Sequence, residues 1–193
     1  MEMLDKSLLK DFNIEKYKSY HPPGNNTFDT MQELKSLARI PLNKDYAKRY
    51  DDVVSAFKET AERNGLKEKI TGIVQKLIND SHPIIMELKN FYNRPRPKAV
   101  AKVMNLQMDD YEMPSMKTPS YPSGHSTQGI LVAKVLSYLY PSLKKQFTQT
   151  GNNISDSRNI AHAHYKTDSD FGKKLGSAMF EHLKNKLSWE THR

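Results

Sequence analysis

The chain has 193 residues, enough for one domain with a proper core, and its 37% hydrophobic and 27% charged residues are those of a rather polar globular protein. There are 30 Lys and Arg residues against 22 Asp and Glu, a net charge of +8, which favours anionic partners. The cations are scattered rather than gathered in a tail or block, which argues against nucleic acid. Cysteine is absent, so disulfides, thiolate catalysis and sulfur-ligated zinc are excluded.

Residues 1–20 read as a polar lead-in with one short helix, and residues 21–193 as a single helical domain. The lead-in is charged and lacks the apolar stretch of a signal peptide, and no window reaches the roughly 18 apolar residues of a membrane span. A cytoplasmic protein without membrane insertion is therefore expected, or a periplasmic one if an upstream signal has been removed.

After the loop His21-Pro22-Pro23-Gly24, Thr27 can cap a helix whose apolar face includes Phe28, Met31, Leu34 and Leu37, and Pro41 breaks it. Tyr46, Tyr50, Val53, Val54, Phe57 and Ala61 keep helical spacing up to a stop at Gly65. Ile70, Ile73, Val74, Leu77 and Ile78 predict the next helix. Ser81 with Pro83 restarts or kinks it into a segment carrying Ile84, Ile85, Leu88 and Phe91, and Pro95 and Pro97 end it. Residues 98–121 show no period. They carry Met104, Met108, Met113 and Met116 and read as a substrate-facing loop or as a surface loop. Ile130 to Tyr140 is apolar nearly all round, as in a helix buried at the centre of a bundle. A further helix from near Ser142 includes Leu143, Phe147 and Ile154. The last, from near Ser169, buries Phe171, Leu175, Met179, Leu183 and Leu187. With no alternating strand pattern, the expected fold class is all-α, a single helical bundle.

Three segments carry chemistry: Lys89-x6-Arg96-Pro97, Pro122-Ser123-Gly124-His125 and Ser157-Arg158-x5-His164-x3-Asp168. Cleaving a phosphate monoester needs an in-line nucleophile, cations around the equatorial oxygens and a proton for the leaving oxygen. Lys89, Arg96 and Arg158 can supply three positive charges, Ser123 a hydroxyl donor and Gly124 a closely approaching backbone N–H. His164 lies four residues before Asp168, and a carboxylate on one ring nitrogen makes the other more basic, as a nucleophile requires. His125 has no carboxylate near it in sequence and is the candidate general acid. With His125 protonated and His164 neutral, a bell-shaped rate profile peaking at mildly acidic to neutral pH is expected. His162 and His164 form a His-x-His pair, but no further ligand cluster accompanies it, so no metal site is expected. His21, His82, His182 and His192 read as surface or capping residues.

These three segments resemble the three-part signature of the type 2 phosphatidic acid phosphatase superfamily, which takes in bacterial class A non-specific acid phosphatases, lipid phosphate phosphatases and vanadium haloperoxidases. Ser120-Tyr121, His164-Tyr165, Gly172 and Gly176 extend the likeness toward the soluble class A branch. The resemblance spans about residues 20 to 186 and implies an all-helical fold. It implies His164 as nucleophile, His125 as proton donor and Asp168 as the residue orienting His164. Lys89, Arg96, Ser123, Gly124 and Arg158 would bind phosphate. It also implies no metal or other cofactor, and inhibition by vanadate. The chain departs from the class A pattern in showing no export signal. The expectation is a metal-independent phosphatase acting on small phosphomonoesters, nucleotides among them, through a phosphohistidine. A homo-oligomer, in the form of a dimer, is carried as a partner expectation beside the phosphate ester. A vanadate-dependent haloperoxidase and a non-catalytic anion- or nucleic-acid-binding module are the alternatives.

Overall fold

The computed structural model describes residues 6–187, and every regular element among them is helical. The elements are α1 (Phe28–Ala38), α2 (Lys44–Arg49), α3 (Val53–Arg63), α4 (Thr71–Tyr92), α5 (Pro97–Val103), α6 (Gly124–Leu139), α7 (Lys144–Ile160) and α8 (Lys166–Leu187). Short 3-10 turns lie at Glu15–Ser19, Pro114–Lys117 and Pro141–Leu143. The expected all-α bundle is what the chain forms. His192 lies outside the described residues.

α6 is the axis. It packs most extensively against α7 and α8, with α4 on a third side. Its apolar girth explains the position: Leu131, Val132, Ala133, Val135 and Leu136 are all buried, and a strip through Ile130, Lys134 and Ser137 is partly open to water. Phe57, Leu77, Leu88, Phe147, Ile154, Leu175, Met179 and Leu183 close the main core around it. Leu9 and Tyr17, from the N-terminal segment, are buried in the same cluster.

Several elements differ from the pattern read in the sequence. The run Tyr46 to Ala61 is two helices, because Asp52 leaves helical geometry and its side chain accepts a 2.7 Å hydrogen bond from Ser55 N to cap α3. The break leaves Asp51 in a bend that turns inward. α4 runs unbroken through Pro83; the carbonyl that loses its amide partner belongs to Asn79, an exposed residue rather than a core one. Residues 98–121 are not wholly irregular, since Pro97 starts α5 at its first position, where a missing N–H costs nothing. Met108 and Met113 of that segment are core residues. α8 begins at Lys166 rather than near Ser169, so Asp168 sits in its first turn. Phe28 (75% exposed) and Phe91 (50%) lie on solvent faces of their helices rather than in the core.

Close helix approach sets the geometry of the functional end. A Cβ on Gly172 would lie 2.6 Å from Ser123 O and 2.9 Å from Ser126 Cβ, and one on Gly176 would collide with Thr127 O. α8 therefore lies against the first turns of α6, and the Ser123 N–H donates to Asp168 O at 3.0 Å. Gly176→Ala should destabilise the protein by roughly 2–4 kcal/mol, because the new methyl meets backbone and not a movable side chain. Gly72→Ala, at a site in α4 with nothing within 4 Å, should be neutral or stabilising by up to about 1 kcal/mol. Urea unfolding of both variants checks the contrast.

Candidate active site

The C-terminal turn of α4, the start of α5, the start of α6 and the α7–α8 connection meet at one end of the bundle. They enclose a cavity of about 170 Å³ lined by His82, Ile85, Met86, Lys89, Arg96, Ser115, Thr118, Gly124, His125, Gln128 and His164. Five residues expected at the site thus share one cavity: Lys89, Arg96, Gly124, His125 and His164. The other three do not line it. Ser123 is the N-cap of α6, its hydroxyl oxygen accepting from Ser126 N, and is fully buried. Arg158 (1% exposed) is buried behind His125, and Asp168 (0%) behind His164.

Backbone hydrogen bonds fasten the three segments to one another. Ser120 N donates to Arg94 O at 2.8 Å, joining the α4–α5 corner to the stretch before α6, and Ser123 N donates to Asp168 O, joining that stretch to α8. The three segments are thereby cross-tied through the stretch that leads into α6.

His164 stands between an acid and a base. Its Nδ1 is 3.2 Å from Asp168 Oδ2, and its Nε2 is 2.9 Å from Arg96 Nη1. Arg96 can only donate and the carboxylate can only accept, so the network assigns the proton to Nδ1 and a lone pair to Nε2. Burial pushes the His164 pKa well below its usual value, and Arg96, Lys89, Arg158 and His125 push it further, so the ring is neutral. Asp168 also accepts from Arg94 Nη1 on Oδ1 at 2.7 Å, from Tyr165 N on Oδ2 at 3.0 Å, and from the Ser120 hydroxyl. Burial alone raises its pKa, and Arg94 is the main opposing influence.

Lys89 donates to Pro119 O at 2.5 Å, and burial beside Arg96 lowers its pKa to about 7. Arg96 donates to Thr118 O, Ala163 O and Ser115 O as well as to His164, and burial lowers its pKa to about 10. Positive charge is concentrated here at an energetic cost that an anion would relieve.

Asp51 is one residue that sequence reasoning missed. Its backbone oxygen lies 2.8 Å from His125 Nε2, and its carboxylate accepts from Arg158 Nη1 at 2.9 Å. The carboxylate absent near His125 in sequence is supplied from 74 residues away, through the bend between α2 and α3. The only local sign was Asp51-Asp52 interrupting a helical run. Arg94 and Glu33 were missed too: Arg94 donates to both Asp168 and Glu33. His82 is exposed, as expected, yet sits on the cavity rim. His162 has both ring nitrogens within 2.7 Å of carbonyl oxygens, Asp109 O and Ile40 O, which accounts for both nitrogens without a metal.

The hydrogen bond with His125, then the Arg158 charge, hold Asp51 down to about 2 against the opposing effect of burial. A carboxyl depressed from 3.8 to about 2 stabilises the fold above its unfolded pKa and loses that contribution as pH falls toward 2. With the side chain 38% exposed, screening discounts the effect to about 1 kcal/mol. Asp51→Asn should therefore be less stable than the wild type by that amount at about pH 6, the gap closing between about pH 4 and pH 2. Urea unfolding across pH tests this, and a gap that persists at the acid end would contradict it.

Known proteins share this chain's sequence pattern and fold. The PAP2 superfamily profile matches residues 71–186. The chain is 35% identical over 95 residues to a non-specific acid phosphatase of Salmonella typhimurium, an alignment covering 49% of this chain and 38% of that protein. It is 28% identical over 157 residues to an acid phosphatase of Zymomonas mobilis, covering 78% and 58% respectively. In each case the chain spans less than two thirds of its relative. Two solved structures share the fold. A bacterial vanadium-dependent iodoperoxidase has a TM-score of 0.69 at 15% identity over 91% of this chain and 54% of its own. A transmembrane PAP2-type phosphatidylglycerolphosphate phosphatase from Bacillus subtilis has a TM-score of 0.51 at 17% identity over 83% and 85%. Unlike the latter, no helix among the described residues is long and apolar enough to cross a membrane. With its profile match running from α4 to the end of α8 and through all three sequence segments, the chain belongs to the PAP2 superfamily.

Proposed function

We propose that the protein is a metal-independent phosphatase that hydrolyses small phosphomonoesters through a phosphohistidine on His164. The observation that carries this reading is the polarity of the His164 ring: Nδ1 is tied to buried Asp168, while Nε2 faces a cavity lined by Lys89 and Arg96. The similarity to acid phosphatases of two bacteria supports it.

A phosphate in the cavity takes its equatorial contacts from Lys89, Arg96 and the Gly124 N–H at the start of a 16-residue helix, whose dipole adds to the attraction. Ser123 and Arg158 line no part of the cavity; Ser123 caps the helix that presents the Gly124 N–H, and Arg158 adds its charge from behind His125. As Arg96 Nη1 turns from Nε2 to the phosphate, the freed Nε2 lone pair attacks phosphorus, the bond to the leaving oxygen breaks, and His125 gives that oxygen its proton. Asp168 balances the positive charge that develops on the His164 ring. Water then attacks the phosphohistidine with His125 as base, releasing phosphate and restoring both rings. Orthovanadate, with the same oxygens in the same cradle, acts as an inhibitor. A cavity of 170 Å³ favours compact esters over long-chain ones.

Purified protein should hydrolyse p-nitrophenyl phosphate in EDTA, and inertness under those conditions would overturn the reading. His164→Ala should lower kcat by a factor on the order of a thousand or more. His125→Ala should lose on the order of a hundredfold with an alkyl phosphate but much less with p-nitrophenyl phosphate, whose leaving group needs no proton.

The pH dependence follows from the cations. Burial lowers the His125 pKa from 6.5, and Lys89 is lowered to about 7. Both groups must be protonated, so kcat/KM should fall with rising pH from a point below 6.5 and fall again through about 7, putting the optimum on the acidic side. A kcat/KM that still climbs above neutral pH would sink this assignment.

A further inference from the structure

We propose that Arg94, braced by Glu33, is a positioning residue that keeps Asp168 ionised and oriented so that the His164 ring keeps its proton on Nδ1 and leaves Nε2 unprotonated. The inference rests on the reading of His164 as the nucleophile and extends it to two residues that line no part of the cavity.

Arg94 is 2% exposed, and its guanidinium lies 3.7 Å from the centre of the Tyr165 ring. Nη1 donates to Asp168 Oδ1 at 2.7 Å and to Thr167 Oγ1 at 2.8 Å, and Nη2 donates to Glu33 Oε2 at 3.0 Å. Glu33, on α1, also accepts from Thr167 N at 3.0 Å and from Thr167 Oγ1 at 3.0 Å. It therefore grips the first turn of α8, where a carboxylate is favoured by the helix dipole, and holds the guanidinium from the far side. The Arg94 backbone oxygen receives the N–H of Ser120, whose hydroxyl donates to Asp168. Arg94 thus closes a ring of contacts around the carboxylate through both its side chain and its main chain.

Asp168 has no exposure to water, and Arg94 is the cation in hydrogen-bond contact with it. Its other partners are a hydroxyl, an amide and the His164 ring. Without the guanidinium, burial drives the carboxyl to take up a proton. A neutral carboxyl is a weaker acceptor for the His164 Nδ1–H, so the ring is released to exchange tautomers. Nε2 then carries the proton part of the time and cannot attack phosphorus. Phosphate binding is barely affected, because Arg94 does not touch the cavity.

Three variants test this: Arg94→Met, Arg94→Lys and Glu33→Gln. With p-nitrophenyl phosphate, Arg94→Met should lower kcat by about a hundredfold with KM within about threefold of wild type. The acid limb of its kcat profile should move up by about one pH unit or more. Arg94→Lys should recover part of the loss by restoring the charge without the two-armed geometry. Glu33→Gln, which leaves Arg94 in place, should show the same changes on a smaller scale and keeps the test open if Arg94→Met fails to fold. The ¹⁵N imidazole shifts of His164, assigned by their loss in His164→Gln, should show Nδ1–H alone in the wild type and mixed tautomers in the variants. An unmoved acid limb together with an unchanged tautomer in the folded variants would overturn the inference. The tautomer readout needs no turnover, so an inert wild type with a fixed Nδ1–H would count against the phosphatase reading alone.

Discussion

A carboxylate with no access to water organises this protein. Burying an ion such as Asp168 costs several kcal/mol unless the protein itself replaces the lost hydration. Here the replacement comes from everywhere at once: Arg94 from the corner after α4, Ser120 from the stretch before α6, and Tyr165 N and His164 from the turn before α8. The three segments that carry chemistry are far apart in sequence, and this one side chain makes them neighbours. The small residues of α8 serve the same end. Gly172 and Gly176 bring the helix carrying Asp168 against the start of α6, close enough for the Ser123 N–H to bond to Asp168 O.

The sequence was most legible where a residue's partner lies one helical turn away or where side-chain pattern alone sets burial. His164 and Asp168 are four apart, and the structure pairs them. Ile130 to Tyr140 is apolar nearly all round, save Lys134 and Ser137, and the structure puts it at the centre. Legibility failed where a partner comes from a distant element. Nothing in the neighbourhood of His125 announces Asp51, because the link runs through a bend that a helical run of tyrosines and valines conceals. Glu33 looks like an ordinary charge on an amphipathic helix until the fold lays α1 across the first turn of α8. Pro83 and Pro97 mislead in a related way. Proline's effect depends on its position within a helix and on whether the freed carbonyl meets water, and neither is visible before the helix ends are known.

The two histidines are differentiated by what their partners demand rather than by depth. Both have lowered pKa values: His164 is buried among cations, and His125, with 17% of its side chain exposed, is largely withdrawn from water beside Arg158. His164 faces Asp168 on one nitrogen and Arg96 on the other, which leaves one neutral tautomer. His125 faces the Asp51 backbone oxygen, with the Asp51 carboxylate 3.4 Å from the same nitrogen, an arrangement that accommodates a proton. The Arg158 charge works against that proton, and Asp51 offsets it by pairing with Arg158 as well. Asp51 thus stands between a fixed cation and the histidine proposed as the proton donor.

The lowered pKa values also tie anion binding to proton uptake. Lys89, near 7, is only partly charged at neutral pH, and burial works against His125 in the same sense. On the proposed reading, a phosphate dianion entering the cavity supplies the negative charge that these groups lack, raising both pKa values and drawing protons onto them. Binding and protonation then reinforce each other: the substrate's own charge arms the general acid that will protonate its leaving group. Once the leaving group has taken that proton, His125 is neutral and is ready to act as base toward water. The cost of holding uncompensated cations in a buried site becomes, in this view, the means by which the site distinguishes an anionic substrate from a neutral one.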